Sequence, residues 1–303
     1  MGGAFLLGLG LSWWLLRVRP GQPAGSQARA NAAGAQQFRY RRIVCMSPAV
    51  SEIVFALGAK DRVVGVCEHT KYPPEALLKP TCGGFFNPNR EAILALEPDL
   101  LITQGEAADL SDFARASGMD IVSLKLHDLE SIFAEIARAA SVLQLDAQGD
   151  LLCAEMRYRL ARVRARVAGK PPVPAVLIAG REPGSLTGIF AVGPGGFLND
   201  VAELAGARNV LADLPAEYAV VSKEALLLGA PEVIVELGGE GAVYGGSAAQ
   251  EAEARKVWAA LADLPAVQQG RVHVVEETYA LIPGPRVVLL AERLAAIFHP
   301  EGP

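Results

Sequence analysis

The sequence predicts an α/β fold of two repeated lobes with mainly parallel sheets, joined by one long helix. Three observations carry this. Short apolar runs of strand length alternate with amphipathic helical patterns, as parallel strands with crossover helices require. A loop–helix–strand unit occurs twice. Glu91-Ala92-Ile93-Leu94 followed by Pro98-Asp99-Leu100-Leu101-Ile102 is echoed by Glu224-Ala225-Leu226-Leu227 followed by Pro231-Glu232-Val233-Ile234-Val235, every matched pair 133 positions apart. Between the copies, residues 146–167 form one long helical pattern without proline.

A second echo lies upstream of each copy. Ala56-Leu57-Gly58-Ala59 resembles Leu204-Ala205-Gly206-Ala207, 148 positions on. Two echoes in the same order indicate an internal duplication. The differing offsets place a longer loop in lobe two, at residues 180–196.

Composition bounds the function. The chain has 303 residues, 51% of them hydrophobic and 20% charged, as expected of a globular protein. The net charge is −5 and no Lys/Arg-rich run occurs, so nucleic acid is not an expected partner. Cys45, Cys67, Cys82 and Cys153 show no zinc-ligand spacing. They are expected to be buried thiols, or to form one disulfide in an oxidising compartment.

Residues 4–16 are almost wholly apolar, short for a membrane span of ~20 residues and suited to the core of a signal peptide. Residues 22–37, rich in Ala, Gly and Gln, read as a flexible tether. Ala28-Arg29-Ala30 offers a small-residue cleavage site. Arg17 and Arg19 follow the apolar run and none of its kind precedes it, which favours an uncleaved anchor or a misassigned start. Residues 1–40 are therefore read as signal peptide or anchor plus tether. No cysteine sits near the run for lipid attachment.

Folded sequence begins near Arg41. Residues 42–46 read as a strand. Ser47-Pro48 starts a helix that ends at Gly58, and residues 63–66 form the next strand. Asn87-Pro88-Asn89 is a turn with Asn89 as N-cap. The helix from Arg90 stops before Pro98, and a strand follows at residues 100–102. Helix, strand and helix are expected at 110–117, 121–124 and 129–143. Arg157, Arg159, Arg162, Arg164 and Arg166 give the long helix a solvated face. Such a helix is a rigid strut, so lobe closure should be a few degrees of rocking. Lobe two is expected as strand 175–179, helices 197–204 and 223–228, strand 232–237, a glycine-rich loop at 238–246, helix 255–261, strand 272–275 and a closing helix 287–298. Trp258 is expected in its core. The lobes are placed at 41–145 and 170–303, with 146–169 connecting them.

No dinucleotide or phosphate-loop motif, no G-x-S-x-G and no H-E-x-x-H is present. Gly238-Gly239-Glu240-Gly241 is followed by no helix pattern and reads as a loop, not a phosphate cradle. No catalytic residue, resident cofactor or metal site is expected.

Taken together, Ile43–Ala49 in the form IVCMSPA with Glu52, Gly65-Val66, Tyr72-Pro73-Pro74, the segment 83–102, the segment 222–235 and Gly284-Pro285-Arg286 resemble the periplasmic substrate-binding proteins of ABC importers, in which one long helix joins two lobes. The Tyr-Pro-Pro loop and the C-terminal Pro-Gly-Pro-Arg are most similar to the cobalamin-binding branch. The resemblance implies two Rossmann-like lobes with a ligand cleft between them. It implies an extracytoplasmic monomer that delivers cobalamin or a related metal complex to a permease with its ATPase subunits. It assigns Glu91 and Glu224 to docking on permease arginines. It places Phe85 and Tyr218 as cleft aromatics. His69 and Gln104 fall where the family has further aromatics, and Tyr279 near the mouth of lobe two.

Each assignment has a plainer counterpart. Glu91 and Glu224 both sit in the first turn of a helix, where an acid complements the dipole. Phe85 and Tyr218 have core packing as the alternative, although both are expected in loops before helices. Two other readings stay open. One keeps the fold with a ferric siderophore, haem or oxyanion as ligand. The other is a metal-cluster or cofactor-processing enzyme with two Rossmann-like halves, for which Cys45, Cys67 and Cys82 at strand ends would be the sign.

Overall fold

The computed structural model describes residues 38–238 and 247–300. The apolar N-terminal run, Arg17, Arg19, Ala28-Arg29-Ala30 and residues 239–246 of the glycine-rich stretch lie outside the described residues. Among the described residues no helix is long and apolar enough to cross a membrane.

Lobe one is built on strands Ile43–Cys45 (β1), Val63–Val66 (β2), Leu100–Gln104 (β3) and Asp120–Leu124 (β4). Their order is β2-β1-β3-β4 and every pairing is parallel. Local chemistry sets the helices between them. The Ser47 hydroxyl accepts the Val50 N–H, and Pro48 fills the first position of Pro48–Ala56 (α1). Asn89 accepts the Ala92 N–H and starts Arg90–Ala95 (α2). Ala108–Ala116 (α3) follows β3. Asp128 and Ser131 exchange side-chain and backbone hydrogen bonds, a capping box that opens Leu129–Val142 (α4). These bonds hold the Asp128 carboxyl below its usual range.

Asp146–Val167 (α5) is one helix of 22 residues, roughly 33 Å long at 1.5 Å per residue. Cys153, Met156, Leu160 and Val163 form its buried stripe. Gly149 lies inside it, where glycine normally weakens a helix. A β-carbon there would come within 2.5 Å of the Ala140 Cβ, so this glycine sets how closely α4 and α5 approach. The arginine-rich face is only partly solvated. Arg157, Arg162 and Arg164 are exposed, whereas Arg159 makes a two-point ion pair with Glu292, at 2.9 and 2.7 Å. Two apposed helices supply the partner that the sequence of one helix does not reveal.

Lobe two holds Val173–Gly180 (β5), Phe190–Val192 (β6), Ala207–Asn209 (β7), Tyr218–Val220 (β8), Val233–Leu237 (β9) and Val272–Val275 (β10). Its helices are Gly196–Leu204 (α6), Lys223–Gly229 (α7), Ser247–Trp258 (α8), Pro265–Gln268 (α9) and Val287–Phe298 (α10). Through parallel pairings alone the order is β7-β5-β9-β10, the same as β2-β1-β3-β4 in lobe one. The sequence repeat is thus a repeat of sheet topology. The segment expected as a long loop in lobe two carries a strand instead. β6 pairs antiparallel with β5 and with β8, so the second sheet is mixed. The three residues of β6, Phe190–Val192, are too few to show a period. Tyr218 accordingly lies in a strand, not in a loop. Trp258 is fully buried and donates to the Glu236 carboxylate at 2.6 Å.

One apolar core runs through both lobes. It includes Ile43, Leu100 and Ile102 of the first sheet, Leu177, Val233 and Val235 of the second, and the stripe of α5 against Leu290 and Leu294 of α10. Separate clusters cover the outer face of each sheet.

Candidate functional site

In parallel sheets, ligands collect beyond the carboxyl ends of the strands, where loops diverge and backbone groups are free to bond. The carboxyl ends of the two sheets here converge on one cavity of about 350 Å³. Pro48 and Glu52 follow β1, and His69, Lys71 and Tyr72 follow β2. Gly238 follows β9. Glu276, Thr278, Leu281, Ile282 and Arg286 follow β10. Both lobes therefore contribute.

Arg286 dominates the electrostatics of this cavity. Its Nε and Nη2 donate to Glu52 Oε2 and Oε1 at 2.9 and 2.6 Å, a two-point pair across the lobes. Its Nη1 donates to Thr278 Oγ1 at 3.0 Å. The guanidinium carbon lies 3.9 Å from the Tyr72 ring centroid and 5.6 Å from that of Tyr279. Glu52 is only 3% exposed. Burial raises its carboxyl above the ordinary value, against the pull of Arg286. Gly284 leaves room close by, since a β-carbon there would lie 3.3 Å from Glu52 Oε2, a tight contact. Glu276 Oε1 is buried without a hydrogen-bond partner, and burial raises that carboxyl too. A second set of bridges joins the lobes elsewhere. His127 Nε2 is 2.9 Å from Glu217 Oε1, the Phe197 N–H donates to the His127 carbonyl, and the Leu129 N–H donates to Asp200.

The sequence-assigned residues divide. His69 lines the cavity, exposed and 3.4 Å from Glu68 Oε1. Tyr279 flanks it through Arg286, and burial, with Glu277 beside it, raises its hydroxyl. Phe85 lies on a separate groove of lobe one, of about 620 Å³, edge-to-face against Phe86. Gly84, next to Phe85 in the chain, lies near His69, since a β-carbon on it would be 3.5 Å from His69 Nε2. Gln104 is the last residue of β3 and does not line the cavity. Tyr218 stacks on Phe190, with centroids 5.7 Å apart, and burial pushes its hydroxyl up to about 12. Glu52, Lys71, Tyr72 and Arg286 were missed as site residues. Their signal was positional, with Glu52 in the helix after β1, Lys71 and Tyr72 in the segment after β2, and Arg286 just before the last helix. A larger cavity, about 940 Å³, lies between α4, α5 and α6, but no carboxyl strand end reaches it.

The thiols are not arranged for chemistry. All four cysteines are buried and none is joined in a disulfide. Burial pushes Cys45 well up and Cys82 up to about 11, which disfavours the thiolate that ligation or attack requires. Among the described residues no three His, Cys, Asp or Glu side chains group as metal ligands.

The family model for periplasmic binding protein matches residues 43–279. The chain belongs to this family. The crystal structure of the periplasmic vitamin B12-binding protein of Vibrio cholerae is 27% identical, with a TM-score of 0.70 over 86% of this chain and 96% of that one. A periplasmic heme-binding protein of Pseudomonas aeruginosa is 25% identical, with a TM-score of 0.73 over 87% and 94%. An uncharacterized ABC transporter substrate-binding lipoprotein of Bacillus subtilis is 27% identical over 269 residues, 86% of this chain and 81% of that one. The two-lobe α/β fold matches those solved structures, and in this chain one long helix joins the lobes and the cavity lies between them. It is the substrate-binding component of an importer, and the family places it outside the cytoplasm.

Proposed function

We propose that this binding protein captures a metal-complex ligand of the cobalamin or iron-complex class in the interlobe cavity, carries out no chemistry on it, and delivers it to an ABC permease with its ATPase subunits. The observation that carries this is the convergence of both sheets' carboxyl ends on one cavity bordered by Tyr72, Tyr279, His69 and Arg286. Flat macrocycles bind through aromatic faces and a few polar anchors, and this cavity offers both. Relatives named for vitamin B12 and for heme support the ligand class. Phe85, Gln104 and Tyr218 are proposed as outer contacts of a ligand larger than the cavity. The lobes are proposed as residues 41–145 and 170–303, acting as a monomer.

Native mass spectrometry of the protein with cobalamin, haem and ferric siderophores tests this. A one-to-one complex with one of the three is expected, and Tyr72→Ala with Tyr279→Ala should weaken it about 10-fold, given ~0.5–1.5 kcal/mol per aromatic contact. No complex with any of them would remove the ligand class.

Glu91 and Glu224 are proposed as permease-docking anchors. Both are exposed in the first turns of α2 and α7. Hydrogen bonds from its own backbone N–H and from Ser222 hold the Glu224 carboxyl below its usual value. Export is proposed from the apolar run at residues 4–16. A fusion of residues 1–40 to a reporter active only outside the cytoplasm should be active, and a well-expressed but silent fusion would refute export.

A further inference from the structure

The two short helices that carry Glu91 and Glu224 expose more than an acid. α2 buries a single side chain, Ile93, and α7 buries a single side chain, Leu226. These are matched positions of the repeat. Three residues after each glutamate stands a leucine that is not used inward. Leu94 is 49% exposed and Leu227 is 40% exposed, and they too are matched positions. On a helix, residues i and i+3 share a face. Each lobe therefore presents an acid and a leucine side by side. Phe86, 96% exposed, precedes α2, and Leu228, 90% exposed, adjoins Leu227.

A single exposed leucine means little. Two at matched positions, each beside an acid that forms no salt bridge among the described residues, make a composed surface. The acids select a basic partner surface, and the leucines require that it also be apolar. We infer that Leu94 and Leu227 are the apolar anchors of the permease-docking surface, each seating beside a basic side chain of the permease that meets the neighbouring glutamate. This rests on the docking reading of Glu91 and Glu224. The division of labour follows from the chemistry. Charge pairs at a rim set the encounter rate and its salt dependence, whereas buried apolar anchors hold the complex together.

The test is binding of the full-length protein to its permease reconstituted in lipid nanodiscs, measured at low and high salt. Leu94→Gln with Leu227→Gln should weaken affinity about tenfold or more, mainly through faster dissociation, with an unchanged salt dependence. Leu94→Met with Leu227→Met should restore it. Glu91→Ala with Glu224→Ala should weaken binding and flatten the salt dependence. Wild-type affinity in the glutamine pair, with loss in the glutamate pair, would overturn the leucine anchors and leave charge docking intact. Wild-type affinity in both pairs would overturn the docking reading itself.

Discussion

Replacing both Glu91 and Glu224 by lysine should abolish uptake while ligand affinity stays at the wild-type value. Both residues are exposed and neither lines the interlobe cavity, so the pocket is untouched. Both stand in first helical turns, where a cation opposes the dipole, so a small loss of stability is expected. The large effect lies at the membrane. A permease surface built for two acids would meet two ammonium groups, and like charges at an interface select strongly against association. Uptake of labelled ligand beside calorimetric titration separates the cases. Normal uptake in the double lysine variant would reduce both residues to helix capping. Loss of ligand binding would put them in the cleft.

The second large effect is expected at Glu52 and Arg286. Glu52→Leu alone leaves a guanidinium in a site that is nearly closed to water, and truncating one member of a buried pair costs ~3–5 kcal/mol. For a chain of this size that lowers the melting temperature by roughly 10 °C. Glu52→Leu with Arg286→Met removes both charges and should recover most of that loss, since buried pairs and apolar replacements of similar volume are close in stability. The pH dependence has a definite sign. Because burial raises the Glu52 carboxyl, the folded protein holds that proton to higher pH than the unfolded chain does. The stability contributed by this group is complete below the unfolded value of ~4.3 and is lost as pH rises through the folded value. That decline should vanish in the double variant. Thermal melts of the three proteins across pH decide it. A single variant as stable as wild type would show that the pair carries no net strain or support.

The elements most visible in the sequence were those with their own local chemistry. Asn89 and Ser222 cap their helices through side-chain oxygens, and the strut at Asp146–Val167 runs between the residues its pattern indicated. The repeat around Glu91 and Glu224 indicated two related lobes, and both sheets carry the same order of parallel strands. What stayed hidden depends on the fold. Glu52 and Arg286 are 234 residues apart, and nothing local marks either as the other's partner. β6 and β8 are three residues each and stabilise one another rather than themselves. The aromatics Phe85 and Tyr218 were picked out through the family resemblance, but their pairing with Phe86 and Phe190 was not legible. The role of Gly149 was not legible either, since the close approach to Ala140 that it permits appears only in the fold.

The core that runs from the first sheet through α5 and α10 into the second has a consequence for the transport cycle. A receptor whose halves swing wide announces its cargo by its outline, so an empty copy and a full one are easily told apart. Here the halves share one packed interior, which is bistable or stiff but not freely deformable. The distance between the acids of α2 and α7 should then barely change when cargo arrives. On the docking reading of Glu91 and Glu224, empty copies are then expected to present the same face as full ones and to compete for the same seat. Discrimination has to come from the cavity's mouth, where Tyr72, Tyr279 and the Glu52–Arg286 bridge would be covered or uncovered by the cargo, and from whatever part of the permease reaches down to feel it.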